Sequence, residues 1–119
     1  MSRLRIALVA GVLVVFAVVG AVIIFANQSS VGQNVTINVT VTGAKTMKPS
    51  QLTAHHNDNM TINVTSDADG EVHLHGYDIH FETKAGQMVS HTFKAINTGG
   101  FDIEWESTSQ PLGKLTVNP

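Results

Sequence analysis

The stretch Val72-His73-Leu74-His75-Gly76-Tyr77-Asp78 sets two imidazoles two residues apart. Apolar and polar residues alternate through it, which is the period of a half-buried strand. Successive strand side chains take opposite faces, so His73 and His75 share one face while Val72 and Leu74 take the other. Their Cα atoms then lie about 6.5–7 Å apart, close enough to share one metal ion or one polar cluster. Neutral imidazole is a ligand for Zn²⁺ and Cu²⁺. Gly76 allows a sharp change of direction immediately afterwards. The structural alternative is a polar corner, with the imidazoles hydrogen-bonded to loop backbone and to Asp78.

The other histidines carry weaker signals. His55 and His56 are neighbours before a turn, and from a regular strand they cannot both aim at one point. They read as solvated turn residues. His91 shares a face with Val89 and Phe93, which predicts a partly buried, hydrogen-bonded core histidine. Met47, Met60 and Met88 are too scattered for a methionine-rich Cu(I) site, although Met47 falls in a loop that could approach the same pole. Ser90 before His91 is not a triad, because a triad is defined by spatial geometry and not by sequence adjacency. No catalytic apparatus is legible, and the reading is of a protein that is not an enzyme.

Composition closes further options. The chain has 119 residues, no cysteine and a formal net charge of −2. Disulfides, thiolate metal sites and a cysteine nucleophile are excluded, as is a lipidated-cysteine anchor. There is no basic run to grip nucleic acid. One Trp and one Tyr are too few for an aromatic stacking platform for bases, so no nucleic-acid partner is expected.

The elements that must hold the histidines follow from periodicity. Val35, Ile37, Val39 and Val41 alternate with Thr36, Asn38, Thr40 and Thr42. Leu52–His56, then Met60, Ile62 and Val64, predict two more strands, separated by Asn57-Asp58-Asn59, where Asn tolerates a left-handed backbone. Ile79 and Phe81, Val89 to Ala95, Phe101 to Trp105, and Leu115 with Val117 complete the series. Glu106 to Gly113 reads as a polar loop. About seven short strands with frequent turns argue for an all-β sandwich or small barrel. Five Asn-x-Ser/Thr sequons, at Asn27, Asn34, Asn38, Asn59 and Asn63, suit an outward-facing surface. Simple Asn/Thr richness of exposed strand faces explains them equally.

Ahead of the strands, Arg3 and Arg5 precede an uncharged apolar run from Ile6 to Ala26, about 21 residues, enough to span a hydrocarbon core of ~30 Å as a helix. A cleavable signal peptide is the rival reading, but its apolar region is usually about 7–15 residues and the small-residue cut site is poor here. The segments expected are therefore a cytoplasmic stretch 1–5, a transmembrane signal anchor 6–26, a polar linker 27–33 and a domain 34–119. The positive-inside rule puts the domain on the extracytoplasmic side of the cell membrane.

Three segments of this domain resemble the cupredoxins. Leu52 to Asp67 resembles the family's strand, Gly-Asp turn, strand unit, with Asn57 in the Gly place. Glu71-Val72-His73-Leu74-His75-Gly76-Tyr77-Asp78 is similar to a motif of membrane-anchored bacterial and archaeal cupredoxin-like domains. Gly113-Lys114-Leu115-Thr116-Val117 resembles the last strand of plastocyanin-like proteins. The resemblance implies a Greek-key β-sandwich. It also implies a copper site, but the type 1 Cys, His and Met places fall on Ile103, Glu106 and Pro111. Only the first His place survives, at His75 or His73. A blue-copper site needs the thiolate, so that electron-transfer role is excluded, as is the binuclear copper site of cytochrome oxidase subunit II.

If the fold is of this kind, His75 and Glu106 meet at one pole, and His73, His75 and Glu106 form the best metal constellation, with His80 as a fourth candidate. Two imidazoles and a carboxylate suit Cu²⁺ or Zn²⁺. The expected function is a membrane-anchored extracytoplasmic module that binds such an ion. The alternative is a non-metal structural or protein-interaction module serving a partner in the same membrane.

Overall fold

The computed structural model describes residues 32–119. The expected stretch 1–5, the anchor 6–26 and the linker up to residue 31 lie outside the described residues. Among the described residues no helix is long and apolar enough to cross a membrane.

Nine strands follow in order: β1 (Asn34–Thr42), β2 (Thr46–Lys48), β3 (Gln51–His55), β4 (Asn59–Ser66), β5 (Gly70–Leu74), β6 (Ile79–Thr83), β7 (Met88–Lys94), β8 (Gly99–Trp105) and β9 (Gln110–Asn118). They form a four-stranded sheet in the order β2-β1-β4-β7 and a five-stranded sheet in the order β3-β9-β8-β5-β6. Both sheets are mixed: β1 runs parallel to β4 and β3 parallel to β9, while the other pairs are antiparallel.

The alternating residues explain why two sheets close on each other. Val39 and Val41 of β1 and Met60, Ile62 and Val64 of β4 point inward from one sheet. Leu52, Val72, Leu74, Phe81, Ile103, Trp105, Leu115 and Val117 meet them from the other. Each such side chain contributes about 1.5–3 kcal/mol on burial, so the shared core is what holds the sandwich.

The outward residues of the four-stranded sheet form a ladder. Parallel register sets Asn34 beside Asn59 and Asn38 beside Asn63. Asn59 Nδ2 donates to Asn34 Oδ1 at 3.2 Å, and Asn63 Nδ2 donates to Asn38 Oδ1 at 2.8 Å. Four of the sequons thus lie on one sheet face, bound to each other in pairs.

The turn at Asn57 forms as its composition suggests. Asn57 is left-handed, with φ 71°, a conformation Asn adopts more readily than most residues. Asp58 beside it is buried, and its carboxylate accepts backbone N–H bonds from Gln33 at 2.9 Å and His55 at 2.8 Å.

Four expectations are corrected here. β9 begins at Gln110, inside the segment read as a loop, because Gln110 and Pro111 pair with Trp105 and Glu104 across a bulge at Ile103/Glu104. Thr46–Lys48 forms a short strand where a loop around Met47 is expected, because it pairs with Thr40–Thr42 of β1. Met47 lies in that strand and is buried in the core. His91 is exposed, because β7 is an edge strand; its ring meets Phe81 edge-on at 4.9 Å.

Candidate metal centre

β5 lies inside its sheet, between β6 and β8. Val72 and Leu74 face the core, so Glu71 and His73 face outward. Register then decides the neighbours. His73 stands opposite His80 on β6 and opposite Glu104 on β8. Three residues from three strands therefore form one row across the outer face.

His75 begins the tight connection to β6. Gly76 there has φ 82°, and a Cβ at this position would sit 2.1 Å from the Phe101 ring. Glycine is required both by the conformation and by the close approach. Asp78 closes the turn in the left-handed region with φ 52°, a conformation Asp tolerates better than bulky residues. Its Oδ1 lies 3.0 Å from His80 Nε2 and 3.3 Å from His73 Nε2.

The three imidazoles are stacked against each other. The His73 and His80 rings are 4.2 Å apart and nearly parallel at 10°, while the His75 ring is 4.1 Å from His73 and tilted at 46°. His73 is the shielded member, its side chain 13% exposed. Carboxylates surround the row. Glu106 Oε2 is 3.0 Å from His73 Nδ1, Glu104 Oε1 is 2.8 Å from His75 Nε2, and Glu71 Oε1 pairs with His80 Nδ1. Beside the row, Glu71, Glu82, Glu106 and Lys84 line an open depression of about 450 Å³.

Charge in this cluster is unbalanced. Four carboxylates (Glu71, Asp78, Glu104 and Glu106) meet three imidazoles, and among the described residues no lysine forms an ion pair with any of the four. The field favours added positive charge, whether a proton or a metal ion. The Asp78 hydrogen bond is the main cause that holds His80 above its ordinary 6.5; Glu71 reinforces it and desolvation opposes it. The reciprocal hydrogen bond from His80, followed by that from His73, holds Asp78 below 3.8.

One atom is left over. His73 Nδ1 is buried and has no hydrogen-bond partner. Glu106 is near enough at 3.0 Å for an ionic contact, but it lies off the direction a hydrogen bond requires. A metal ion seated on the Nδ1 lone pair takes a carboxylate such as Glu106 as a second ligand from the side, a position from which a direct N–H···O bond is not made.

The four residues singled out from the sequence all belong to the cluster, but not as one ligand set. His75 donates its backbone N–H to Asp102 and Glu106 donates its own to Glu71, so the two mark opposite ends of the β5–β8 ladder. They do not meet at one pole. The ligand atoms that converge, all within 4.8 Å of one another, form two overlapping triads: His73, His80 and Glu106, and His73, His75 and Glu104. Glu104 and Glu71 were missed. Glu71 shares the strand face of His73 by simple alternation, a signal present in the sequence. Glu104 alternates with the core residues Ile103 and Trp105, but its place opposite His73 depends on strand register.

The type 1 copper implied by the resemblance does not fit these residues. Ile103, in the place of the cysteine, is an apolar core residue 4% exposed. No thiolate stands anywhere in the chain. Any ion here is held by nitrogen and oxygen.

No protein-family model matches the chain, and no curated protein matches its sequence. Solved structures do match. A copper binding protein, determined in the apo form by NMR, has a TM-score of 0.61 at 15% identity, covering 71% of this chain and 88% of that one. A chain of a heme-copper terminal oxidase dimer has a TM-score of 0.59 at 12% identity, covering 92% of this chain and 96% of that one. The metal binding domain of the Streptococcus pneumoniae Cu(I)-exporting P-type ATPase CopA, solved with Cu(I), has a TM-score of 0.59 at 15% identity, covering 72% and 87%. At these identities the likeness is one of fold.

Proposed function

We propose that this chain, a cupredoxin-like β-sandwich without the type 1 copper ligands, is a metal-binding module that holds Cu²⁺ or Zn²⁺ through His73, His80 and Glu106. The observation that carries the reading is the buried His73 Nδ1, unpartnered in a negatively charged cluster. Ligand atoms about 2.0–2.2 Å from a tetrahedral ion stand about 3.3 Å apart. The 3.0 Å between His73 Nδ1 and Glu106 Oε2 already meets that spacing. His80, within 4.8 Å of both, closes by about 1.5 Å at most through a rotation of an exposed side chain. The fold likeness to a copper binding protein supports copper as the element.

In this reading the apolar run Ile6–Ala26 anchors the module, with the sandwich outside the membrane and available to a membrane protein partner. The site binds and presents the ion and is not a catalyst. A purely structural role is favoured by a different observation: His75 and His80 already pair with carboxylates, and the rings stack. Calorimetric titration of the full-length chain in detergent with Cu²⁺ and Zn²⁺ separates the two. Metal binding predicts saturable uptake, weakened in His73→Ala by more than the about 10–100-fold typical of losing an outer-shell partner. Absence of uptake, with His73→Ala merely less stable, would leave the histidines as architecture.

A further inference from the structure

The geometry points to a second metal position on the same face, formed by His73, His75 and Glu104, which one divalent ion occupies alternately with the first. This inference rests on the reading above, since both positions share His73. Glu104 Oε1 and His75 Nε2 are 2.8 Å apart, close to the spacing of two ligand atoms on one ion. Both residues are part-shielded, with side chains 44% and 23% exposed for His75 and Glu104. The two triads use chemically identical donor sets, two imidazoles and one carboxylate. They share His73, whose ring centroid lies 4.2 Å from that of His80 and 4.1 Å from that of His75.

Identical donors make the two positions similar in affinity, with neither a deep trap. A shared ligand makes them mutually exclusive, because two divalent ions around one imidazole repel each other strongly where His73 is shielded from water. An ion then moves between positions by exchanging His80 and Glu106 for His75 and Glu104, with His73 common to both ligand sets. The ligands are nitrogen and oxygen only, so the ion that steps is a divalent one of the Cu²⁺ or Zn²⁺ class and not Cu(I). No bond to carbon changes and no electron moves. The consequence is an ion held but not locked, suited to passing it on across the outer sheet face.

The test is Cu²⁺ titration of the full-length chain in detergent at fixed pH, read by calorimetry and by electron paramagnetic resonance. The wild type is expected to bind one equivalent and to show two superposed Cu²⁺ signals. His75→Ala/Glu104→Gln should keep one signal, His80→Ala/Glu106→Gln the other, and His73→Ala neither. Each double variant should still bind one equivalent. Thermal melting without metal checks that the variants fold, and the single Glu104→Gln replacement serves where a double variant does not. Two equivalents in the wild type would overturn the exclusivity. A single wild-type signal, unchanged by His75→Ala/Glu104→Gln, would remove the second position and leave the first intact. A wild type that takes up no ion would overturn both.

Discussion

A methyl group at Gly70 should destabilise the sandwich through one identifiable contact. Gly70 opens β5, and a Cβ built there lies 2.1 Å from Trp105 Cζ2 and 2.8 Å from Cη2. Trp105 is 4% exposed and cannot swing away. Overpacking of this kind costs about 1–3 kcal/mol. Replacing glycine by alanine in a compatible backbone returns about 0.4–1 kcal/mol by narrowing the unfolded ensemble. The net expectation for Gly70→Ala is about 1–2 kcal/mol of lost stability. At about 4–8 °C per kcal/mol for a domain of this size, Tm falls by roughly 5–15 °C. Trp105→Phe removes the ring atoms that clash, at its own cost for the space left behind. In Gly70→Ala/Trp105→Phe the new methyl group fills part of that space. The double variant should therefore be more stable than the sum of the two single losses by about 1 kcal/mol or more. Thermal unfolding followed by circular dichroism measures the cycle, and the one tryptophan of the chain reports its own displacement in Gly70→Ala by fluorescence. Strict additivity would refute the argument, since it would mean the indole does not bear the strain.

The pH response of the site has a definite sign. Asp78 is held below 3.8 and His80 above 6.5. The first contributes stability that is lost as pH falls through its lowered value; the second contributes stability present below 6.5 and lost as pH rises through its raised value. The penalty of Asp78→Asn should therefore be greatest between about pH 4 and 6.5 and shrink on both sides, by melts across pH; a penalty flat with pH would contradict it. Asp58→Ala leaves the N–H groups of Gln33 and His55 without their acceptor, which should cost about 1–3 kcal/mol in chemical unfolding. Tyr77 Oη donates to the Asn97 carbonyl at 2.6 Å and accepts from the Asn97 N–H at 3.1 Å. Tyr77→Phe should lose about 1 kcal/mol. Burial raises the phenol above 10.0 against the opposing Asn97 contact, so the single tyrosine should ionise later than a free one in an ultraviolet titration.

The strands were legible because the alternation in Val35–Val41 and Met60–Val64 requires one apolar face. The Asn57 turn was legible because few residues accept its backbone. The shared face of His73 and His75 followed from the same period. What the linear pattern did not contain was register. Glu104 reaches His73 only because β8 pairs with β5 with Trp105 opposite Val72, a match set by core packing between segments far apart in the chain. The pole expected for Glu106 and His75 failed for this reason: antiparallel pairing sends the end of one strand to the start of the other. His91 showed the limit of burial arguments from alternation, since the inward face of an edge strand is only partly covered: Val89 and Phe93 are half-buried while His91 between them is exposed.

The order of pairing also divides the candidate site by time. β5 and β6 are joined by a short turn, so His73, His75, His80 and Asp78 come together in a local hairpin, a process of about 1–10 μs. Glu104 and Glu106 arrive only with β8, and β8 is backed by β9, which must also find β3 in parallel register, Gln51 beside Lys114. Such non-local pairing belongs to folds that take milliseconds to seconds. Local contact therefore favours the imidazoles meeting one another before their β8 carboxylates reach them. A divalent ion present while the chain folds would meet the histidines before Glu104 of the neighbouring β8 and Glu106 just beyond it stand beside them.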